Sequence, residues 1–230
     1  MVNNRCDAIQ LKQARKIGPA RRSVAGIYVF RGRTAIPYES TLERDFLIRQ
    51  EFALDVREVI SQPVRISFAI GGRSYVYTPD FLVYYRLDAR FRPERVRSAL
   101  IEVKPGREWR KHWREWLPKW KAARRYAKER GWAFRIQDES RIRDRALENI
   151  RFLERYKRMR FPPEESRRVV ETVRDMAATS CRHLLSRHFP GFRREAGIAC
   201  IRHLLATRRL DCDVGRPLDD FTELWVPNDE

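Results

Sequence analysis

The sequence has few of the features that mark membrane, secreted or disulfide-stapled proteins. It contains no run of about 18 apolar residues, the length that crosses a bilayer, so we expect no membrane-spanning segment and no partner within a membrane. No apolar signal core stands near the N-terminus, so we do not expect secretion. The four cysteines are scattered, and we interpret them as reduced thiols of a cytoplasmic protein rather than as a disulfide framework.

Acidic residues are scarce beside basic ones, 31 against 49, which leaves a net charge of +18. An excess this large favours a polyanionic partner such as DNA, RNA or an anionic membrane surface. Residues 1–38 are the most one-sided, with eight Lys or Arg and a single acid. We predict that they form a basic N-terminal arm, either solvated and partly disordered or lying on a phosphate backbone.

Acids do occur in two apolar, strand-like runs, where a strand normally carries none. Asp80 lies in the first run, and Glu102 and Lys104 lie in the second. Successive strand residues alternate faces, so Ile101 and Val103 should point one way and the two charged side chains the other. Two carboxylates beside an ammonium suit a magnesium-dependent site that cleaves phosphodiesters, because Mg²⁺ takes oxygen ligands and keeps several waters.

A third acid, Glu43, stands at the start of a helix predicted to begin at Ser40. The spacing Ser40-x-x-Glu43 is that of a capping box, in which the glutamate returns a hydrogen bond to the helix start. Glu43 is therefore either a cap, a ligand of the acidic site, or both, since a carboxylate has two oxygens.

The other elements of the front half follow from periodicity and turn residues. Gly71-Gly72 is predicted to make a two-residue hairpin turn with positive φ. The order is helix, three strands, helix and strand. The strands are predicted at 64–70, 73–85, 98–104 and 132–137, and the second helix at 107–130 with a break at Pro118.

This order, with Pro79-Asp80 followed by Glu102-Val103-Lys104, resembles the PD-(D/E)xK nuclease core. Over residues 38–140 the chain is similar to the TnsA endonuclease subunits of heteromeric cut-and-paste transposons. Some members of that family have Gln where this chain has Glu102, which is the general nuclease form. The likeness is carried by the segments 40–47, 62–63, 77–83, 101–105 and 122–134.

The resemblance implies an α/β (α+β) fold, with a restriction-endonuclease-like core in residues 39–140 that is a mixed sheet flanked by helices. Residues 141–230 are predicted to form a smaller domain with helices at 142–159, 164–185 and 194–207. Short strands at 211–214 and 221–226 suggest a winged-helix-like module. Its cysteines and histidines match no standard zinc spacing, so we interpret Cys181, His183, His188, Cys200 and His203 as core residues.

The function that the resemblance implies is an endonuclease subunit of a heteromeric transposase. It would hydrolyse the non-transferred strand at the 5′ ends of the element, using Mg²⁺ or, as a substitute, Mn²⁺. Asp80, Glu102 and Glu43 would hold the metal, and Lys104 would complete the catalytic set. The implied partners are double-stranded DNA, a DDE-type transposase subunit and an ATPase regulator, in the bacterial cytoplasm at the nucleoid.

Two alternatives stay open. One is a stand-alone restriction or repair endonuclease of the same fold. The other is a basic DNA-binding assembly protein whose acids only form ion pairs.

The helix predicted at 107–130 carries ten Lys or Arg and three acids, which makes it the predicted DNA contact. Its four tryptophans recur at three- and four-residue steps, either packing on the sheet or stacking on bases opened at the cut. The residues assigned to DNA are Arg107, Arg110, Lys111, Arg114, Lys119 and Lys121.

Overall fold

The computed structural model describes residues 13–14, 24–86 and 98–227. The chain divides into two compact units, Met1–Ile142 and Arg143–Glu230, close to the boundary expected after residue 140. Most of the predicted basic arm, and Cys6 within it, lies outside the described residues, as does most of the loop before residue 98. In the described ranges no helix is long and apolar enough to cross a membrane, and the cytoplasmic location stays a prediction.

In its described residues, unit 1 combines three β-sheets with two long helices and one short one. Its elements in chain order are β1 (Gly26–Phe30), β2 (Thr34–Tyr38), α1 (Thr41–Phe52), β3 (Val56–Ser61), β4 (Ile66–Ile70), β5 (Arg73–Tyr77), β6 (Phe81–Tyr85), β7 (Ser98–Val103), α2 (Gly106–Glu129), β8 (Ala133–Gln137) and α3 (Glu139–Ile142).

The central sheet has the strand order β3-β6-β7-β8. Its first two pairings are antiparallel, whereas β7 and β8 run parallel and are joined by α2. Parallel neighbours need a crossover of this kind, because a tight turn can join only antiparallel strands. The mixed sheet flanked by helices confirms the predicted restriction-endonuclease-like fold class.

Helix α1 packs one face on this sheet and begins where the sequence predicts. Ser40 is its N-cap, and the Ser40 Oγ accepts a hydrogen bond from the Glu43 N–H at 3.1 Å. Phe46 stacks on Phe81 of the sheet with ring centroids 5.1 Å apart, and Leu47 is fully buried beside them. Burying each such side chain stabilises the fold by about 1.5–3 kcal/mol.

The β1–β2 hairpin occupies part of the stretch predicted to be an arm. Phe30 and Ile36 on its inner face are buried in the same core as α1. Two inward apolar residues anchor this short segment, whereas the basic residues of the whole stretch 1–38 dominate its sequence pattern. For residues 26–38 the prediction of an arm is therefore wrong.

Three other sequence predictions in unit 1 need correction. The strand predicted at 73–85 is two strands of different sheets, β5 and β6, because the chain turns at Pro79, which has no N–H for a ladder. Strand β3 at the sheet edge was not predicted. Helix α2 runs unbroken through Pro118, since buried side chains C-terminal to it, such as Trp120 and Ala123, hold the helix on the sheet.

The Gly71-Gly72 turn is confirmed, with φ of +55° and +78°.

Unit 2 is mostly helical, as predicted, with a small sheet. Its elements are α4 (Arg145–Glu154), α5 (Pro163–Asp175), β9 (Ala178–Ser180), α6 (Cys181–His188), a 3-10 turn (Gly191–Arg193), α7 (Arg194–Ala206) and β10 (Glu223–Trp225). Strands β9 and β10 pair antiparallel, and Asp211 bridges to Trp225.

Several element bounds in unit 2 differ from the sequence prediction. The helix predicted at 164–185 is divided by β9, next to Ala177 with φ of +61°. The helix predicted at 142–159 ends at Glu154, and the strand predicted at 211–214 is reduced to the single Asp211 bridge. The observed order is helix–helix–strand–helix–helix–bridge–strand, and the winged-helix-like module stays a prediction.

Of the cysteines and histidines interpreted as core residues, Cys181, His188, Cys200 and His203 are buried or partly buried. His183 is exposed, because α6 turns Leu184 and Leu185 inward instead, so the interpretation is wrong for His183. Cys200 and Cys212 are buried, and burial raises the pKa of the Cys200 thiol to about 11. His188 Nε2 lies 2.9 Å from Thr172 Oγ1, and His203 Nδ1 lies 2.9 Å from the Tyr156 carbonyl oxygen.

Gly197 in α7 allows the closest approach in the core of unit 2. A Cβ at this position would lie 2.4 Å from Phe189 Cγ, and Phe189 is itself 1% exposed. We expect Gly197→Ala to lower the free energy of unfolding by about 1–3 kcal/mol through overpacking, measured by urea denaturation. In a Phe189→Ala background the same substitution should cost much less. An equal cost in both backgrounds would contradict this explanation.

Candidate active site

Asp80 is fixed by backbone contacts at the point where the chain enters β6. Its carbonyl oxygen accepts a hydrogen bond from the Gln62 N–H at 2.7 Å, and its Oδ2 accepts one from the Val103 N–H at 2.7 Å. Phe81 pairs with Ile101 across the two strands. Continuing this antiparallel register by one residue places Asp80 opposite Glu102.

Glu102 lies on the central strand β7, whose two faces differ as predicted. Ile101 and Val103 belong to the core cluster that contains α1, whereas Leu100 belongs to the cluster under α2. Glu102 therefore points to the α2 side, and its side chain is only 1% exposed. Its Oε2 accepts a hydrogen bond from the Tyr77 hydroxyl at 2.5 Å.

Lys104 joins the two carboxylates. Its Nζ lies 3.5 Å from Asp80 Oδ2 and 3.7 Å from Glu102 Oε1. Burial opposes the charged ammonium, but the charges of Asp80 and Glu102 outweigh it and raise the pKa of Lys104 above its ordinary value. The structure thus brings together the three residues that the sequence selected on these strands.

Lys119 of α2 is a second cation in the same cluster. Its Nζ lies 3.4 Å from Glu102 Oε1 and sits over the Trp116 and Tyr77 rings, 4.6 and 5.1 Å from their centroids. The sequence assigned Lys119 to the DNA-contacting face. The structure instead directs its ammonium to Glu102.

Glu43 is in electrostatic range of this cluster and also acts as a cap. Its Oε2 accepts from the Glu39 N–H at 2.8 Å, and its Oε1 accepts from the Ser40 hydroxyl at 3.0 Å. Burial raises the pKa of Glu43, and its charge acts on both Asp80 and Lys104. The capping alternative is confirmed, and a ligand role for Glu43 stays a prediction.

The described residues do not gather three Asp, Glu, His or Cys side chains in a geometry ready to hold a metal ion. The physical reason is visible in the contacts, since Glu102 faces two ammoniums and a hydroxyl and Glu43 faces its own helix start. The donor set is nevertheless all oxygen, which suits Mg²⁺. A cationic group already lies between Asp80 and Glu102, so this position accepts positive charge.

Helix α2 presents most of the predicted DNA contacts to solvent. It begins at Gly106, directly after Lys104-Pro105. Trp120 is buried in the core, Trp109 donates its Nε1–H to Asp138 at 3.1 Å, and Trp113 is 44% exposed. Packing therefore accounts for Trp120, and stacking on bases stays a prediction. Five of the six predicted DNA contacts are exposed, namely Arg107, Arg110, Lys111, Arg114 and Lys121.

Tyr77, Lys119 and the backbone of Gln62 are site contacts that the sequence analysis did not identify. Gln62 and Tyr77 did fall in the segments that carried the family resemblance, so their presence there was a signal. No sequence signal pointed to the contact of Lys119 with Glu102, because that contact depends on how α2 packs on the sheet.

Two family models match the chain in succession. The TnsA-like endonuclease N-terminal model covers residues 54–139, and the TnsA endonuclease C-terminal model covers residues 141–214. The chain belongs to the TnsA endonuclease family. Asp80, Glu102, Lys104 and Lys119 of this TnsA-type chain lie within the N-terminal match, whereas Glu43 precedes it. No curated protein matches the chain.

Family membership makes the protein an endonuclease subunit of a transposon, with DNA as its substrate and a transposase as its partner. The resemblance drawn from residues 38–140 is thereby confirmed over residues 54–139, and the C-terminal match extends it to residues 141–214.

Asp80 gives a test of the electrostatics that needs no substrate. Burial and the charge of Glu102 raise the pKa of Asp80 well above its ordinary value. The stability linked to Asp80 is therefore present below its unfolded pKa and is lost as the pH rises through the raised value. We expect Asp80→Asn to raise the thermal unfolding midpoint at neutral pH in EDTA, with the gain shrinking as the pH falls through the raised pKa of Asp80 and gone below about pH 4.

The exposed carboxylate Glu129 provides the control, because Glu129→Gln removes the same charge without relieving burial. A pH-independent effect of Asp80→Asn, or an equal gain in both variants, would contradict the expectation.

Proposed function

We propose that this TnsA-type chain is a Mg²⁺-dependent endonuclease that hydrolyses the non-transferred strand at the 5′ ends of its transposon, with Mn²⁺ able to substitute. The observation that supports this most directly is the position of Lys104 Nζ, 3.5 Å from Asp80 Oδ2 and 3.7 Å from Glu102 Oε1. Two carboxylates and an ammonium on one strand edge are the groups that such hydrolysis requires.

Asp80 and Glu102 would hold the metal, and Glu43 would complete the ligand set. When bound, Mg²⁺ supplies Lewis acidity and lowers the pKa of coordinated water. The three carboxylates come from α1, the start of β6 and β7. Because each is anchored by a backbone N–H or a second side chain, their oxygens are held in place before substrate arrives.

Lys104 would act on the scissile phosphate or on the attacking water. Its ammonium keeps its charge across the physiological range, because the carboxylates around it raise its pKa. It can therefore orient the water and neutralise the charge that develops on the phosphorane. Cleavage would leave 5′-phosphate and 3′-hydroxyl ends. Tyr77 and Lys119 would position Glu102.

The exposed basic face of α2 would carry the DNA into this site. The helix starts two residues after Lys104, so phosphates bound along it adjoin the reacting groups. We further propose that a separate DDE-type transposase joins the 3′ ends and that an ATPase regulates the assembly, in the cytoplasm. Family membership supports the transposase partner, whereas the ATPase is carried over from the sequence resemblance alone.

A nicking assay on labelled transposon ends tests the catalytic assignment. With the transposase partner and Mg²⁺ or Mn²⁺ present, we expect Asp80→Ala, Glu102→Ala and Lys104→Ala each to reduce cleavage by about a hundredfold or more. Glu129→Gln, an exposed carboxylate at the far end of α2, should cleave like the wild type. Unchanged cleavage by Asp80→Ala would overturn the assignment of this site as the nuclease centre and would leave the alternative of a DNA-binding assembly protein. Cleavage that needs no partner would favour the stand-alone nuclease.

Lys119 and Lys121 form a matched pair, because both are lysines of α2 but only Lys119 contacts Glu102. We expect Lys119→Met to slow cleavage at saturating DNA and to change the Mn²⁺ concentration needed for half-maximal rate. Lys121→Met should instead weaken DNA binding and lower the salt slope of binding by about 0.9. If both variants changed only binding, Lys119 would be a plain phosphate contact.

A further inference from the structure

An arginine cluster lies at the end of the central sheet away from the carboxylates. It surrounds an open cavity of about 460 Å³. Four guanidinium side chains from three separate segments line it, together with one acid, Glu58. The arginines are Arg31 and Arg33 in the β1–β2 turn, Arg57 in β3 and Arg86 after β6.

Arg31 is built into the cluster rather than free on the surface. Its NH2 group donates to the carbonyl oxygens of Ala53 and Val56 at 3.0 and 2.7 Å. Its guanidinium also lies 5.0 Å from the centroid of the Phe30 ring. These contacts hold one cation at the floor of the cavity, while Arg57 and Arg86 stay exposed at its edge.

Arg31 and Arg86 are close enough for their positive charges to repel. Burial and the charge of Arg86 lower the pKa of Arg31, and the carboxylate of Glu51 opposes that shift in part. Like charges gathered in this way are stabilised when an anion lies among them. Arginine forks match phosphate oxygens in paired hydrogen bonds, which favours phosphate as that anion.

The cluster is separate from the candidate active site. Glu43 and Ala53 stand at opposite ends of α1, about 15 Å apart at 1.5 Å per residue. Asp80 and Arg86 stand at opposite ends of β6, about 20 Å apart. A DNA strand covers such a distance in about five nucleotides at 3.4 Å per step.

We propose that this arginine cluster is a second phosphate-binding site, which holds the backbone of duplex DNA away from the scissile bond. The proposal rests on DNA as the substrate and adds a contact surface beyond α2. The cavity is open and wider than a single phosphate group, and its cations come from three segments. These properties fit a continuous backbone better than an isolated anion.

Fluorescence anisotropy of a labelled duplex across a KCl series tests the proposal with the full-length chain in EDTA, where no cleavage occurs. Arg57→Ala/Arg86→Ala should flatten the slope of log affinity against log salt by about 0.9 for each lost phosphate contact. Arg65→Ala/Arg73→Ala removes two exposed arginines elsewhere in unit 1 and should leave the slope near the wild-type value. Both variants should keep the wild-type unfolding midpoint, since all four side chains are exposed. Arg57→Lys/Arg86→Lys should restore most of the slope.

Equal slopes for the two double-alanine variants would overturn the proposal. So would binding of inorganic phosphate, ATP or poly-glutamate that depends on Arg57 and Arg86 while the DNA slope does not, because the cluster would then serve a small anion or an acidic protein. Either result leaves the Asp80 cleavage test untouched. Conversely, loss of cleavage in Asp80→Ala says nothing about this binding slope.

Discussion

The ammonium of Lys104 between the carboxylates of Asp80 and Glu102 is the interaction on which the candidate active site of unit 1 depends. Two like charges side by side in a sheet are unfavourable without a cation. The fold accepts them because β6 and β7 pair in a register that places both on one face. The Val103 N–H then binds Asp80, and Tyr77 binds Glu102, so each acid keeps a fixed partner.

The strand β7 shows how a hydrophobic core and a polar site occupy one element. Its residues are buried on both faces, yet one face packs on α1 through Ile101 and Val103 while the other carries Glu102 towards α2. The apolar face stabilises the strand, and that stability offsets the cost of the charges opposite. Helix α2 contributes to both the core and the site. Trp120 packs in the core, and the preceding residue, Lys119, contacts Glu102.

The sequence predicted the strand-borne part of the site because side-chain alternation with a period of two is a local property. The alternation of Ile101, Glu102 and Val103 assigns each side chain to a face of the strand without information about the neighbouring strands. The strand break at Pro79 was missed because apolar residues continue on both sides of it. Lys119 was placed on the DNA face because helical spacing alone does not show how deeply a helix settles on its sheet. Likewise the hairpin at 26–38 depends on Phe30 and Ile36 meeting α1, a contact that composition does not reveal.

The contacts of Asp80 and Glu102 also affect how readily the proposed nuclease site can take up a metal ion. Both oxygens of Glu102 face positive or hydrogen-donating groups, and Asp80 Oδ2 faces Lys104 and a backbone N–H. A divalent ion entering the proposed site therefore competes with two ammoniums that are already paired. Phosphates of bound DNA attract ammoniums too, so substrate in the site weakens that competition. Under the proposed function, metal binding and DNA binding would favour each other, and the chain without DNA would hold its carboxylates in neutralised pairs.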